Sequence, residues 1–598
     1  MRVRPWVVRV ALTWAVCFGS VKGTEGQRRE AVIVTGVYEP IPLEEADRAV
    51  RVLDLKESQI LSNSVADWLR MEPSIDLRQR APGGVQGDVS VRGGTFGQTL
   101  VLVDGLRLND VQTGHHNLDL PFPLESVSRI EVLKGAGSTL YGSDAVGGVI
   151  NLVTAPPEGS EARVRTALGN FGVNQQRMSW AVAKRRWTQR FTASRDFSSG
   201  FRPNRDFRSL SLASSTGLAS GAGSTHLMLG YSDRPFGAEG FYGNFPSWER
   251  TKTWFGSLRQ QLGGKTNASF AYRRHTDLFV LYRDRPQVYT NRHAVEGYQL
   301  SLRRREELGK NTRLHYGAEG LRDSIVSTNL GRHSRGSGAV YGALDARALG
   351  RFSFSLGARE QMYGASEFNF SPSAAAGFWI SQHVKVKASA SRAFRLPSYT
   401  DLYYQDPGTR GAADLRPEQA WSYDGGLDWN LGGRLRGDIT VFHRRERDGI
   451  DYVRASSAEI WRATNIHRLR FTGVEASIAG RLRRTHLVEI RYTWMRGALE
   501  SLGGLQSRYV FNYPSHNGVA SWQAALPGHV SARVRLGATR RLGRDPYWLT
   551  DVYLARTARR IRPFVQFTNI GNSRYEEITG VPMPGRGVLG GVEYVFSK

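Results

Sequence analysis

The chain is 598 residues long, carries a formal charge of +27 and contains one cysteine, Cys17. A single cysteine excludes intrachain disulfides and thiolate–zinc sites, and the length exceeds one ordinary domain, so at least two are expected. Hydrophobic residues make up 40% and aromatics 11%; a soluble protein and a membrane β-barrel both fit those totals, so the pattern along the chain has to separate them.

Residues 1–23 read as a secretory signal. Arg2 and Arg4 give a basic start, Val7–Phe18 is apolar apart from Arg9 and Thr13, and Gly19, Ser20 and Gly23 follow. The stretch is shorter than the roughly 20 apolar residues of a spanning helix. Trp14-Ala15-Val16 before Cys17 is a poor lipidation context. A polar linker leads to Glu30, Ala31, Val32, Ile33, Val34, Thr35 and Gly36. This apolar, extended-favouring run near a terminus suits either the first strand of the next domain or a peptide that a partner captures by strand addition. We favour the second.

The next domain is compact and rich in glycine. Val50–Leu55 is strand-like, and Ser64–Met71 predicts a short helix with Val65, Trp68 and Leu69 on one face, stopped by Pro73. Thr99–Val103 and Leu106–Leu108 flank Asp104-Gly105, a two-residue hairpin signal. Ile130–Leu133 and Val149–Val153 are two further apolar runs, with glycines between them at 135, 137, 142, 147 and 148. The intervening loops are Pro82–Gly87, Thr95–Gln98 and Asp110–Leu120. The last holds His115 and His116 beside Thr113 and Asn117. Adjacent side chains in an extended chain point apart, and no carboxylate or cysteine pattern completes a metal site, so these residues are expected to line a ligand-facing loop with no metal.

From Ala155-Pro156-Pro157 the texture changes. Phe352, Phe354, Leu356 and Ala358 alternate with Ser353, Ser355, Gly357 and Arg359. Val384, Val386, Ala388 and Ala390 alternate with Lys385, Lys387 and Ser389, and Val488, Ile490, Tyr492 and Trp494 with Glu489, Arg491 and Thr493. Val530, Ala532, Val534 and Leu536 alternate in the same way with Ser531, Arg533 and Arg535. Period two with charges on the second face marks strands between lipid and a wet lumen. Soluble sandwiches alternate too, but seldom over so many segments without a linker. About 440 residues at about 20 per strand with its turn give roughly 22 strands, a bore too wide for side chains to fill. The basic residues are scattered singly through these strands with no nucleic-acid-binding motif. A wet lumen and an anionic lipopolysaccharide surface account for the charge better than nucleic acid does.

The first domain carries VSVRGG, LVLVDG and LYGSDAVGGVINLVT within Val89–Thr154. This ordered set closely resembles the plug of TonB-dependent outer-membrane receptors. Within the barrel, Phe394–Ser398 with Asp401-Leu402-Tyr403 and Leu415–Glu418 resembles the family's FRxPS…DLY…LxPE block; Asn465-Ile466 with Phe471–Glu475, and Phe567–Ile570 with Tyr575-Glu576 and Pro584–Arg586, resemble two more. The resemblance implies a 22-stranded antiparallel transmembrane β-barrel, residues 156–598, around an α/β plug, residues 37–155, after a periplasmic linker, 24–36, with the barrel embedded in the bacterial outer membrane. Glu30–Val34 would be the TonB box, gripped by the energy-coupling protein TonB. Arg92 and Lys134 of the plug and Asp424 and Glu475 of the barrel match the family's plug–barrel lock; Lys134 and Asp424 replace arginine and glutamate, keeping the sign of charge.

The implied activity is active uptake of a scarce ligand, with no enzyme and no cofactor, by a monomer; no Ser-His-Asp order, paired-carboxylate motif or Walker loop competes. Thr95, Phe96, Gln98, Thr113, His115, His116 and Asn117 would contact the ligand from the plug, and Phe241, Tyr242, Trp248, Tyr403 and Tyr404 from the outer loops. Aromatics and arginines suit a corrinoid or a ferric siderophore. The Gly137–Thr154 block looks most like the cobalamin receptors, although no dense Asp-x-Asp cluster for calcium is present. Phe394–Glu418 contains no histidine, which places haem behind. A passive porin would need an open lumen, and an adhesin would need no TonB box.

Overall fold

The computed structural model describes residues 32–56, 59–364, 366–483, 485–498, 502–557 and 560–597. Residues 1–31, including the predicted signal and Glu30 and Ala31 of the predicted box, lie outside them.

Twenty-two strands close into one barrel, in which each strand pairs antiparallel with the next and Gly587–Ser597 pairs back onto Glu161–Gly169. The alternation in the sequence becomes two faces. Leu168, Leu300 and Phe352 are 64%, 62% and 58% exposed on the outer wall. Arg359, Lys385 and Thr493, on the opposite parity of their strands, are 1% exposed. Charged side chains are buried there because the lumen is filled by the N-terminal domain. Short turns connect the strands at one end of the barrel. At the other end most connections are longer, and three of them, through residues 396–417, 448–468 and 498–513, build their own small sheet from Thr409–Arg410, Trp461–Ile466, Gly449–Arg454 and Gln506–Ser507.

The lumenal domain is organised on a five-stranded mixed sheet in the order Val50–Asp54, Arg129–Lys134, Gly148–Val153, Thr99–Val103, Leu106–Arg107. The three central strands are buried throughout except at Arg129, which is why they read as continuous apolar runs. Asp104 and Gly105 both have positive φ, 49° and 83°, the backbone of a two-residue primed turn. The predicted helix forms over Val65–Leu69, capped by Ser64 and Asp67 in a reciprocal box, and it buries Val65, Ala66, Trp68 and Leu69. Val65, Trp68 and Leu69 join Val101, Val103, Ile130, Val132 and Ile150 in the largest apolar cluster.

Candidate functional site

The upper surface of the lumenal domain faces the long barrel loops. Phe96 stacks on His115, ring centroids 4.2 Å apart, and meets Tyr509 edge-on at 5.0 Å. Tyr452 packs edge-on to Tyr509 at 6.1 Å, Arg78 lies 5.9 Å from the Phe96 ring, and Arg80 lies 5.6 Å from that of Tyr242. His115 Nδ1 is 2.6 Å from Asp88, which also pairs with Arg80 at 3.2 Å. Burial lowers the His115 pKa, and Asp88 only partly offsets it. Burial would raise the Asp88 carboxyl, but Arg80 and His115 hold it far below the usual carboxylate range. This end of the lumen is an aromatic floor braced by buried arginines.

The predicted ligand residues divide. Phe96, His115 and Tyr242 belong to this floor. Thr95 and Gln98 are buried and brace each other in a capping box, and the Gln98 amide donates to Glu418 and Glu446 of the barrel, 3.0 Å each. Asn117 donates to the Phe96 carbonyl at 3.1 Å, and the Thr113 hydroxyl accepts from His115 N at 3.4 Å, so both shape their loop. Phe241 is 6% exposed in an apolar cluster with Ala81, Val85 and Phe207. Tyr403 stacks on His333 at 3.7 Å, and Tyr404 donates to Asp406 at 2.8 Å. Trp248 takes the opposite parity from buried Glu249, on the outer face of its strand.

His116 turns away from His115 and enters a buried cluster with Asp119 and with His275 and Asp277 of the barrel. Burial disfavours its charge, but Asp119 and Asp277 overcome this and raise its pKa well above the ordinary histidine value. The two side chains do point apart, although the segment is a 3-10 turn over Gly114–His116 and not the extended chain expected. One carboxylate, Asp119, lies three residues on in the same loop, and the other, Asp277, comes from a barrel strand distant in sequence.

The block Phe394–Glu418 acquires a physical reading. Arg395 reaches Glu418 at 2.8 Å and Asp401 at 3.1 Å, and Ser398 and Asp401 cap the helix Tyr399–Tyr403. The motif anchors the root of the 396–417 connection next to Gln98.

All four predicted lock residues meet. Arg92 sends Nε to Glu475 Oε1 at 2.7 Å and Nη2 to Oε2 at 3.0 Å, a bidentate fork, while Nη1 pairs with Asp424. Lys134 Nζ is 2.9 Å from Glu475. The Arg92 guanidinium also lies 4.4 Å from the Phe442 ring, and its backbone has φ 51°. Burial would weaken both cations, but Asp424 and Glu475 hold Arg92, and Glu475 and Glu72 hold Lys134, above their ordinary pKa values.

At the short-turn end, Val32–Ile33 pairs antiparallel with Ile41–Pro42, and Ile33 is fully buried. The amides of Val34 and Thr35 donate to Glu131 at 2.9 and 2.7 Å. The described part of the predicted box therefore lies stowed against the underside of the central sheet.

Residues 155–569 match the family described as TonB dependent receptor-like, beta-barrel, and residues 42–149 match the TonB-dependent Receptor Plug Domain. A vitamin B12 transporter BtuB of Vibrio vulnificus is 26% identical over 432 residues, 67% of each chain. An iron-regulated outer membrane virulence protein of Vibrio cholerae is 24% identical over 590 residues, 87% of each. Among solved structures, the siderophore receptor PirA of Acinetobacter baumannii superposes with a TM-score of 0.74 at 14% identity, covering 92% of this chain and 98% of that one. The FrpB iron transporter of Neisseria meningitidis gives 0.76 at 15%, covering 92% and 100%. The barrel, its plug and these matches agree: the chain belongs to the TonB-dependent receptors of the bacterial outer membrane, transporters rather than enzymes.

Proposed function

We propose that this receptor imports a large, flat, partly apolar metal chelate, in the first instance a corrinoid. The observation that carries the reading is the floor formed by Phe96, His115 and Tyr509 with Arg78 and Arg80 around it. Aromatic faces offer area to a macrocycle, and the buried Arg78 and Arg80, paired with Asp76 and Asp88, brace those faces. The B12-transporting relatives support the same choice. TonB grips Glu30–Val34 by strand addition, and the pull opens the Arg92–Lys134–Asp424–Glu475 cluster so that part of the plug shifts. A ferric siderophore is the second reading, favoured by the iron-regulated Vibrio cholerae relative, which aligns over more of the chain.

Titration of the detergent-folded protein with cyanocobalamin, a ferric catecholate and a ferric hydroxamate, followed by tryptophan fluorescence, tests this. Binding of the corrinoid alone supports the first reading. Binding of an iron chelate alone replaces it with the second, and silence from all three refutes both.

A further inference from the structure

His116 and His275 stand with ring centroids 4.7 Å apart where the plug loop 110–120 meets the barrel strand Thr266–Val280. His116 Nδ1 is 3.4 Å from Asp119 Oδ2, and His275 Nε2 is 3.2 Å from the same oxygen. The three donor atoms lie within 4.8 Å of one another, and all three residues are buried. His116 Nδ1 has no hydrogen-bond partner. Two ligands on one tetrahedral ion, bonded at about 2.0–2.1 Å, stand roughly 3.4 Å apart. Each histidine has a carboxylate behind its other nitrogen: Asp277 is 3.6 Å from His116 Nε2, and Asp110 is 2.9 Å from His275 Nδ1. Such backing carboxylates orient metal-bound imidazoles.

Asp110 pairs with Arg273 at 2.8 Å and Asp119 with Arg234 at 3.3 Å. Asp119 keeps its Oδ2 for the two imidazoles, while Asp277, facing His116 Nε2, and Glu249 are 6% and 1% exposed and each keep one oxygen without a hydrogen bond beside His116. We propose that His116, Asp119 and His275 bind one first-row divalent cation of the zinc class across the plug–barrel contact. Two imidazoles favour such an ion over calcium or magnesium, which take oxygen ligands. Of the other two close trios among the described residues, His116 with Glu249 and Asp277 does not include His275, so His275→Gln tells the two apart; in Glu39, His315 and Asp345, Arg305 and Arg313 occupy both oxygens of the glutamate and Arg347 both of the aspartate. The latter trio needs no cation and serves as the internal control. The site stands whatever chelate the receptor imports.

The test uses the full-length, tag-free protein in detergent, stripped with chelator and titrated with Zn2+ by calorimetry and elemental analysis, with Co2+ absorption reporting coordination. The expected result is one ion per chain and a four-coordinate cobalt spectrum. His116→Gln and His275→Gln each weaken binding at least about tenfold, and His315→Gln leaves it unchanged. Heat-modifiable gel mobility establishes that each barrel is folded; Asp119→Asn replaces any variant that is not. A wild-type protein with no stoichiometric ion, or folded variants that bind as the wild type does, overturns the proposal.

Discussion

Replacing Glu475 with alanine is expected to loosen the plug without unfolding the barrel. The carboxylate is 3% exposed and holds the Arg92 fork at 2.7 and 3.0 Å together with Lys134 at 2.9 Å. After the substitution Arg92 keeps Asp424, but Lys134 is left with Glu72 at 3.8 Å. Removing one partner of a buried pair costs about 3–5 kcal/mol, and because Asp424 remains, the lower end applies. About 3 kcal/mol is roughly two orders of magnitude in the equilibrium for plug displacement. Hydrogen exchange of the strands Arg129–Lys134 and Gly148–Val153 reads this directly, with exchange of the barrel strands as reference. Acceleration of about a hundredfold confined to the plug is expected, and Arg92→Ala in the same background should add less than it does alone. Plug exchange unchanged within about threefold would refute the claim that this cluster holds the plug.

Glu131→Gln weakens the acceptor for the Val34 and Thr35 amides. Hydrogen bonds to a charged group contribute about 1.5–3 kcal/mol each, so the purified TonB domain should bind the variant about tenfold tighter or more in calorimetry; equal affinity would show that the stowed strand does not limit capture. Deleting residues 30–34 should abolish energised uptake while leaving ligand binding intact, and loss of both would point to a folding defect instead. Phe96→Ala should weaken ligand binding by at least about tenfold, as removal of a central aromatic anchor does, with plug exchange unaffected. Asp451 lies in the loop sheet, outside the membrane strands, and burial pushes its carboxyl up to about 6 from 3.8 despite hydrogen bonds from Ser507 and the amides of Val510, Tyr452 and Tyr509. The folded loops therefore hold this proton more tightly than the unfolded chain does, and stability falls as pH rises from about 4 to about 6, by about 3 kcal/mol in total. Exchange within Gly449–Arg454, corrected for its intrinsic pH dependence, should be faster at about pH 8 than at about pH 5; the reverse order would refute the assignment.

Period-two alternation made the barrel legible, because lipid on one side and charge on the other demand it at every strand. The Asp104-Gly105 hairpin was legible for the same kind of reason: few residue pairs tolerate two positive φ angles. The pairing of Arg92 and Lys134 with Asp424 and Glu475 spans separations such as 383 residues, and only the family resemblance linked them. Local pattern failed where a side chain's neighbours come from another element. Thr95 and Gln98 look like polar loop residues until the barrel carboxylates Glu418 and Glu446 close over them. Trp248 looks like a loop aromatic until strand parity turns it outward. Tyr509, distant in sequence from every plug loop, left no trace that would have placed it on Phe96.

The basic excess also has a more specific place than the sequence suggested. Barrel arginines reach through the lumen to backbone carbonyls of the plug: Arg165 to Ser62 at 3.2 Å, Arg234 to Leu120 at 2.5 Å, Arg444 to Arg92 at 3.1 Å, Arg491 to Met71 at 2.6 Å, and Arg535 to Arg70 at 3.2 Å. Lys385 does the same to Glu45 at 2.9 Å. A carbonyl is present at every residue, so this grip asks little of the plug's side chains, and long guanidinium stems span an uneven gap between a cylinder and a globular domain. Each contact can also be exchanged for water, so its net contribution is modest even though its strength in a dry site is large. An apolar seam of equal area would bind the plug more rigidly and expose hydrophobic surface whenever the plug moved. Polar clamps allow the interface to wet without exposing an apolar seam, which is what the proposed displacement of part of the plug requires.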